Sequence, residues 1–110
     1  MKAWEIEYLP EALNDLERLD HSVQIHVLKA VRKIATNPLP QGEGGYGKPL
    51  GSKAELNLTG LLKCKLRGDG VRIVYKLVRD RDAVKVIVIG ARADEEAYRL
   101  AAARRKRHGL

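Results

Sequence analysis

The chain has 110 residues, 45% of them hydrophobic and 32% charged, enough for one hydrophobic core in a single domain spanning residues 1–110. Its 21 Lys and Arg outweigh 14 Asp and Glu, leaving a net charge of +7 that favours anionic partners. A lone cysteine, Cys64, excludes an internal disulfide, and no run approaches the roughly 20 apolar residues of a membrane span. The opening Met1-Lys2-Ala3-Trp4-Glu5 also lacks a signal-peptide core, so the expected setting is a reducing cytoplasm with no membrane partner.

Taken in chain order, Trp4, Ile6 and Tyr8 alternate with Glu5 and Glu7, which predicts a first strand. Pro10 suits the first turn of a helix carried on by Ala12, Leu13, Leu16 and Leu19. A second helix follows through Val23, Val27, Ala30, Val31 and Ile34, with Ser22 as its expected N-cap. It must stop by Asn37-Pro38, because the residue before proline avoids the helical region. The two helices form a helical hairpin.

Residues Pro38 to Lys53 are rich in Gly and Pro and predict an irregular surface loop. Within it, Gly42-Glu43-Gly44-Gly45-Tyr46-Gly47-Lys48 satisfies most of a phosphate-binding loop pattern, but Pro49 stands where that motif needs a hydroxyl. Proline also disfavours a helix at Lys48, so nucleotide binding is set aside. Three strands are expected at about Leu61 to Arg67, Val71 to Arg79 and Ala83 to Ile89, the last apolar enough to lie centrally and buried on both faces. After Gly90 and Arg92, Asp94-Glu95-Glu96 open a final helix whose acids suit its N-terminus. The fold class is therefore α+β: an N-terminal strand and helical hairpin packed on a mainly antiparallel twisted sheet, with a C-terminal helix.

The richest stretch is Leu62 to Lys76, which alternates apolar and cationic residues around a Gly68-Asp69-Gly70 turn. Lys63, Lys65 and Arg67 share one face of a hairpin with Arg72, Val74 and Lys76, while Leu62, Cys64 and Leu66 share the other. A cationic sheet face without matching acids points to a nucleic-acid phosphate, although alternating cations also describe an ordinary solvated sheet face.

Together with Val88-Ile89-Gly90-Ala91-Arg92-Ala93-Asp94-Glu95-Glu96-Ala97-Tyr98, this hairpin resembles the RelE family of bacterial toxin–antitoxin toxins. The likeness extends more loosely over the N-terminal strand and helical hairpin. It implies a small ribonuclease that enters the ribosomal A site and cuts messenger RNA there, needing no cofactor and restrained by a cognate acidic antitoxin. It also implies a catalytic set of Lys63, Lys65, Arg72, Arg92 and Tyr98, with a further basic position at Arg67. Relatives in the ParE branch share the fold, poison DNA gyrase and lack this cationic set, so a gyrase poison is the alternative. An RNA-binding module without catalysis is a third reading.

Cleavage through the 2′-OH requires removal of its proton, stabilisation of the phosphorane-like charge and protonation of the departing 5′ oxygen. No metal is obligatory, and His21, His26 and His108 are too scattered to form a metal cluster. Lys63 and Lys65 lie roughly 6.6 Å apart along a strand, at ~3.3 Å of rise per residue, and can bracket one phosphate. Repulsion among the cations is expected to lower a lysine pKa toward neutrality and make it a better proton donor. Lys65 is thus assigned general acid, Lys63 and Arg72 transition-state stabilisers, Arg92 a phosphate clamp and Tyr98 the group acting on the 2′-OH. Lys76, Arg104 and Arg105 join Arg67 as expected RNA contacts, although the basic tail also suits a solvated helix end and Tyr98 an ordinary core position.

Overall fold

The computed structural model describes residues 3–53, 56–91 and 93–110. Strand β1 (Glu5–Tyr8) leads into helices α1 (Pro10–Glu17) and α2 (His21–Thr36), followed by β2 (Lys48–Lys53), β3 (Leu56–Leu66), β4 (Val71–Val78), β5 (Ala83–Ala91) and α3 (Asp94–His108). The sheet order is β1-β5-β4-β3-β2. Within this sheet the β1–β5 pairing is parallel and the β5–β4, β4–β3 and β3–β2 pairings are antiparallel. This is the α+β class predicted, with a fifth strand.

Local chemistry explains most boundaries. Pro10 occupies the first turn of α1, where its missing N–H costs nothing. The N-cap position of α2 is Asp20 and not Ser22, which lies inside the first turn, and neither helix start is closed by a side-chain cap. Helix α2 ends at Thr36, one residue before Asn37-Pro38. Helix α3 closes on Gly109 in the left-handed conformation, φ 66°.

The expected loop between Pro38 and Lys53 is only half a loop, because Lys48 to Lys53 pair with β3 as an edge strand. An edge strand tolerates Pro49. Gly51, at φ 61°, sits at an irregularity in the pairing that follows Pro49. Leu50, buried in the core, is this strand's anchor. Strand β3 also begins earlier than predicted, at Leu56, with Leu58 fully buried.

Strand β4 is the middle strand, and β5 lies between it and β1. The predicted double burial of β5 holds: Val84, Val86, Ile87, Val88 and Ile89 are all buried. Its pairing with β4 slips by one residue twice, since Val74 and Tyr75 face Val88 and Val86 while Arg72 and Ile73 face Ala91 and Ile89. Ile87 and Gly90 are the extra residues, and each bulge re-aims the strand. Gly90, at φ 94°, carries the second, with Leu19 packed 3.3 Å from where a Cβ would stand.

Two contacts tie the far end of α3 to α1. Arg104 donates to both carboxylate oxygens of Asp15, at 2.6 and 3.1 Å, and to the Ile87 carbonyl, while Asp15 also accepts from the Ile89 N–H. At the surface, Glu11 accepts from Arg107 and meets His108. The His108 hydrogen bond is the main reason the Glu11 carboxyl is lowered to about 2.

Removing one member of a buried pair leaves the other charged and unsolvated. Arg104→Met is therefore expected to cost about 3–5 kcal/mol in urea-unfolding free energy. The exposed Arg107→Met should stay within about 1 kcal/mol of the parent. Equal effects in the same denaturation series would contradict the inward role of Arg104.

Candidate nucleic-acid interface

The β3–β4 register sets Lys65 opposite Arg72 and Lys63 opposite Val74, so alternation puts the two lysines and Arg72 on one sheet face. The other face carries Leu62, Cys64, Ile73 and Tyr75, and there the Tyr75 hydroxyl donates to the Pro38 carbonyl at 2.8 Å. The cationic face is not bare. The first turns of α3 lie across it.

Lys63 is only 8% exposed. Its ammonium donates to the Asp94 carboxylate at 3.1 Å and the Tyr98 hydroxyl at 3.0 Å, and lies 5.4 Å from the Tyr98 ring centre. Arg72 Nε donates to the same Asp94 oxygen at 2.7 Å, and Arg72 Nη1 to the Gly70 carbonyl at 2.9 Å. Asp94 thus bridges two of the predicted catalytic cations. In the sequence Asp94 suits the helix N-terminus or a pair with Arg92; it also stands one helical turn before Tyr98 and hence on the same side of α3. That spacing is the signal that identifies it.

Asp94 also reverses an expectation about charge. Cation repulsion predicts a lowered lysine pKa, and burial does push Lys63 down. The hydrogen bonds to Tyr98 and Asp94 outweigh burial and raise Lys63 above its usual value. Reciprocally, the hydrogen bond from Arg72, followed by that from Lys63, holds the Asp94 carboxyl below its usual value.

The remaining predicted residues divide. Lys65 and Arg67 are exposed beside this cluster. Arg92 lies outside the described residues. Lys76 is half-buried opposite Leu61 and Lys85, four residues and so about 13 Å along the strand from Arg72; it is not brought into the cluster. Arg104 is corrected from an RNA contact to an interior residue, 9% exposed in its pair with Asp15. Arg105 is half-buried and donates to the Leu110 and Asn57 carbonyls, which gives it a structural task.

Next to the cluster, a cleft of about 550 Å³ runs between α2, the loop before β2 and the end of β3. Lys33, Tyr46, Lys48, Lys63, Lys65 and Arg67 are among its lining residues. Cys64 also faces it, as a thiol kept protonated chiefly by burial and donating to the Tyr46 carbonyl at 3.2 Å. The β3–β4 turn that carries Arg67 is fastened to α2 by His26, whose Nδ1 lies 3.1 Å from Asp69.

Replacing Asp94 by Asn should drop the Lys63 pKa, because burial remains while the neutralising carboxylate is gone. A lysine side-chain NMR titration reads this directly, and an unmoved Lys63 would contradict the bridge. In the parent, the Asp94 carboxyl is depressed in the folded state, so its stabilising contribution is complete above its ordinary value near 3.8 and is lost as pH falls through the lower folded value. The Lys63–Asp94 contact is accordingly expected to hold steady from neutral pH down to about 5 and to weaken only below about 4.

Comparison with known proteins bears on the family and the fold. Residues 6–96 match the family described as the ParE toxin of the type II toxin–antitoxin system parDE. An Escherichia coli RelE-like toxin protein is 26% identical over 105 residues, covering 92% of this chain and 96% of that protein. Among solved structures, a substituted E. coli RelE toxin in the free state superposes with a TM-score of 0.70 at 22% identity, covering 94% of this chain and 98% of that one. The toxin–antitoxin complex RelBE2 from Mycobacterium tuberculosis gives a TM-score of 0.68 at 21% identity, covering 86% and 97%. With five-sixths of its length inside one family description and its fold shared with RelE toxins, the chain belongs to the ParE toxin family of type II toxin–antitoxin systems, within the RelE/ParE superfamily.

Proposed function

We propose that this toxin is an endoribonuclease that cuts messenger RNA in the ribosomal A site through the RNA's own 2′-OH, in the cytoplasm, and that a cognate acidic antitoxin restrains it. The observation that carries this reading is the convergence of Lys63, Arg72 and Tyr98 around Asp94, with Lys65 exposed directly opposite Arg72. Four of the five residues implied by the RelE resemblance thereby fall in one place. Solved relatives of this fold include complexes of a toxin with its antitoxin, which supports a protein partner complementary to the +7 charge.

In the proposed reaction the 2′ oxygen attacks the adjacent phosphorus, the bond from phosphorus to the 5′ oxygen breaks, and a 2′,3′-cyclic phosphate and a 5′-OH result. Tyr98 acts in its phenolate form, its own proton having passed to solvent; the Lys63 ammonium on its oxygen stabilises that phenolate, which then takes the 2′-OH proton. Arg72 and Lys63 offer the positive potential that the phosphorane-like state needs. Because Asp94 already engages both, the exposed Lys65 and Arg67 supply the less compensated charge that draws in substrate. Lys65 delivers the proton to the departing 5′ oxygen. The positive charge comes from the chain's own residues, so the scheme needs no metal.

The ParE family description favours a second reading, a gyrase poison on the same scaffold. The two readings part on Lys65. Being exposed, Lys65→Ala should leave the fold intact, and on ribosomes programmed with an empty A site it should slow messenger RNA cleavage by roughly 10²–10⁴-fold, the usual worth of a general acid. Mapped ends should carry 2′,3′-cyclic phosphate. Undiminished toxicity of Lys65→Ala, with DNA damage and no RNA cuts from the parent, would establish the gyrase reading.

A further inference from the structure

The Gly-rich loop before β2, which resembles a nucleotide-binding motif without serving as one, holds an aromatic ring in the open. Tyr46 is 44% exposed, yet its backbone is closely fixed. The Tyr46 N–H donates to the Asn37 carbonyl at 3.1 Å, the Gly45 N–H to Pro40 at 3.1 Å and the Gly47 N–H to Leu39 at 3.0 Å. Asn37 Nδ2 donates back to the Gly44 carbonyl, also at 3.1 Å. Neither flanking glycine could be another residue without rearrangement. A Cβ on Gly45 would stand 2.0 Å from the Leu39 carbonyl oxygen, and one on Gly47 2.4 Å from the Tyr75 hydroxyl.

Stability does not ask for this arrangement, because a ring left this exposed gains little from burial. The surroundings indicate what it is for. The Lys33 ammonium lies 5.4 Å from the Tyr46 ring centre, and Lys48, Lys65 and Arg67 line the same cleft. A fixed aromatic platform inside a ring of cations is the arrangement that holds single-stranded nucleic acid, with a base stacked on the ring and phosphates tracked by the charges. The cleft is also open along one side. Pairing of β2 with β3 ends at Lys48 opposite Lys63, and among the described residues no strand covers Cys64 to Leu66 on that side.

We propose that this cleft is a nucleobase subsite, in which Tyr46 stacks a base of single-stranded RNA next to the nucleotide presented to Lys63, Lys65 and Tyr98. The inference rests on the ribonuclease reading for its choice of RNA and adds a residue outside the catalytic set. Tyr46 acts by stacking and takes no part in proton transfer. Its effect is therefore on binding and on the choice of base, and it is separable from the chemical step.

The test is equilibrium binding of a single-stranded RNA decamer carrying 2′-O-methyl groups throughout, which cannot be cut through its 2′-OH. Tyr46→Phe should bind as the parent does, because the ring is kept. Tyr46→Leu should lose roughly 5- to 150-fold in affinity, the range expected for one base–aromatic stack. The salt dependence should not change with either variant, since stacking releases no counterions. Replacing Lys33 with Gln should instead reduce the salt slope by about 0.7 per lost phosphate contact. No binding by the parent, or equal binding by Tyr46→Leu, overturns the subsite. So does an acidic peptide, and not RNA, that loses affinity in Tyr46→Leu. Failure of the ribonuclease reading looks different: ring-dependent RNA binding would persist while programmed ribosomes carry no cut messenger RNA.

Discussion

The Asp94 carboxylate governs how this molecule can present positive charge. A helix can lie over a sheet face bearing Lys63, Lys65 and Arg72 only if the charges it covers are neutralised where they are buried. Asp94 does this for two of them with one oxygen, at 3.1 and 2.7 Å. Its position in the first turn of α3 also places it where the helix dipole favours a negative charge. The same contact that seats α3 on the sheet thus fixes which cations are held in reserve and which, Lys65 and Arg67, remain open to solvent.

The seating of α3 depends in turn on its other end. Arg104, Asp15 and the backbone of β5 form a second neutralised cluster, one that joins α1, α3 and the sheet through hydrogen bonds to Ile87 and Ile89. Ile87 is itself one of the two extra residues where β5 slips register against β4, and Ile89 stands just before the other, Gly90. A bulged strand is a poor ruler for the helices on either side of it, because each extra residue alters its direction. Directional hydrogen bonds from Asp15 and Arg104 to that strand supply a fixed reference. Tyr98 can meet Lys63 because α3 is held at both ends.

Much of this was legible in the residues, and what was hidden was hidden for physical reasons. The alternation from Leu62 to Lys76 gave the correct shared face for Lys63, Lys65 and Arg72, since period-two patterning is a strong signal where one face is apolar. Strand β2 was obscured because its pairing rests on backbone groups, with Leu50 the one buried hydrophobic side chain among its described residues. Arg104 read as part of a basic tail, yet Ala97, Ala101 and Arg104 follow helical spacing on one buried stripe. Asp15 likewise follows the buried Ala12 at the i+3 position of α1. A single acid and a single base, each on an apolar stripe, are a sequence-level sign of a buried pair. Composition alone does not separate such a pair from surface charge.

The choice between a nuclease and a surface-acting poison turns on what a buried lysine is for. An apolar side chain in the place of Lys63 would fill the same space without the cost of desolvating an ammonium, and Asp94 and Tyr98 would have no need to converge on it. A chain whose task was only to occupy a surface on another protein would gain nothing from that cost. A chain that must stabilise charge on a phosphate and on a tyrosine oxygen gains from it directly, because a cation already desolvated and oriented needs no reorganisation when the charge develops. On the proposed nuclease reading, the burial of Lys63 against Tyr98 serves chemistry at the sheet face and not the stability of the fold.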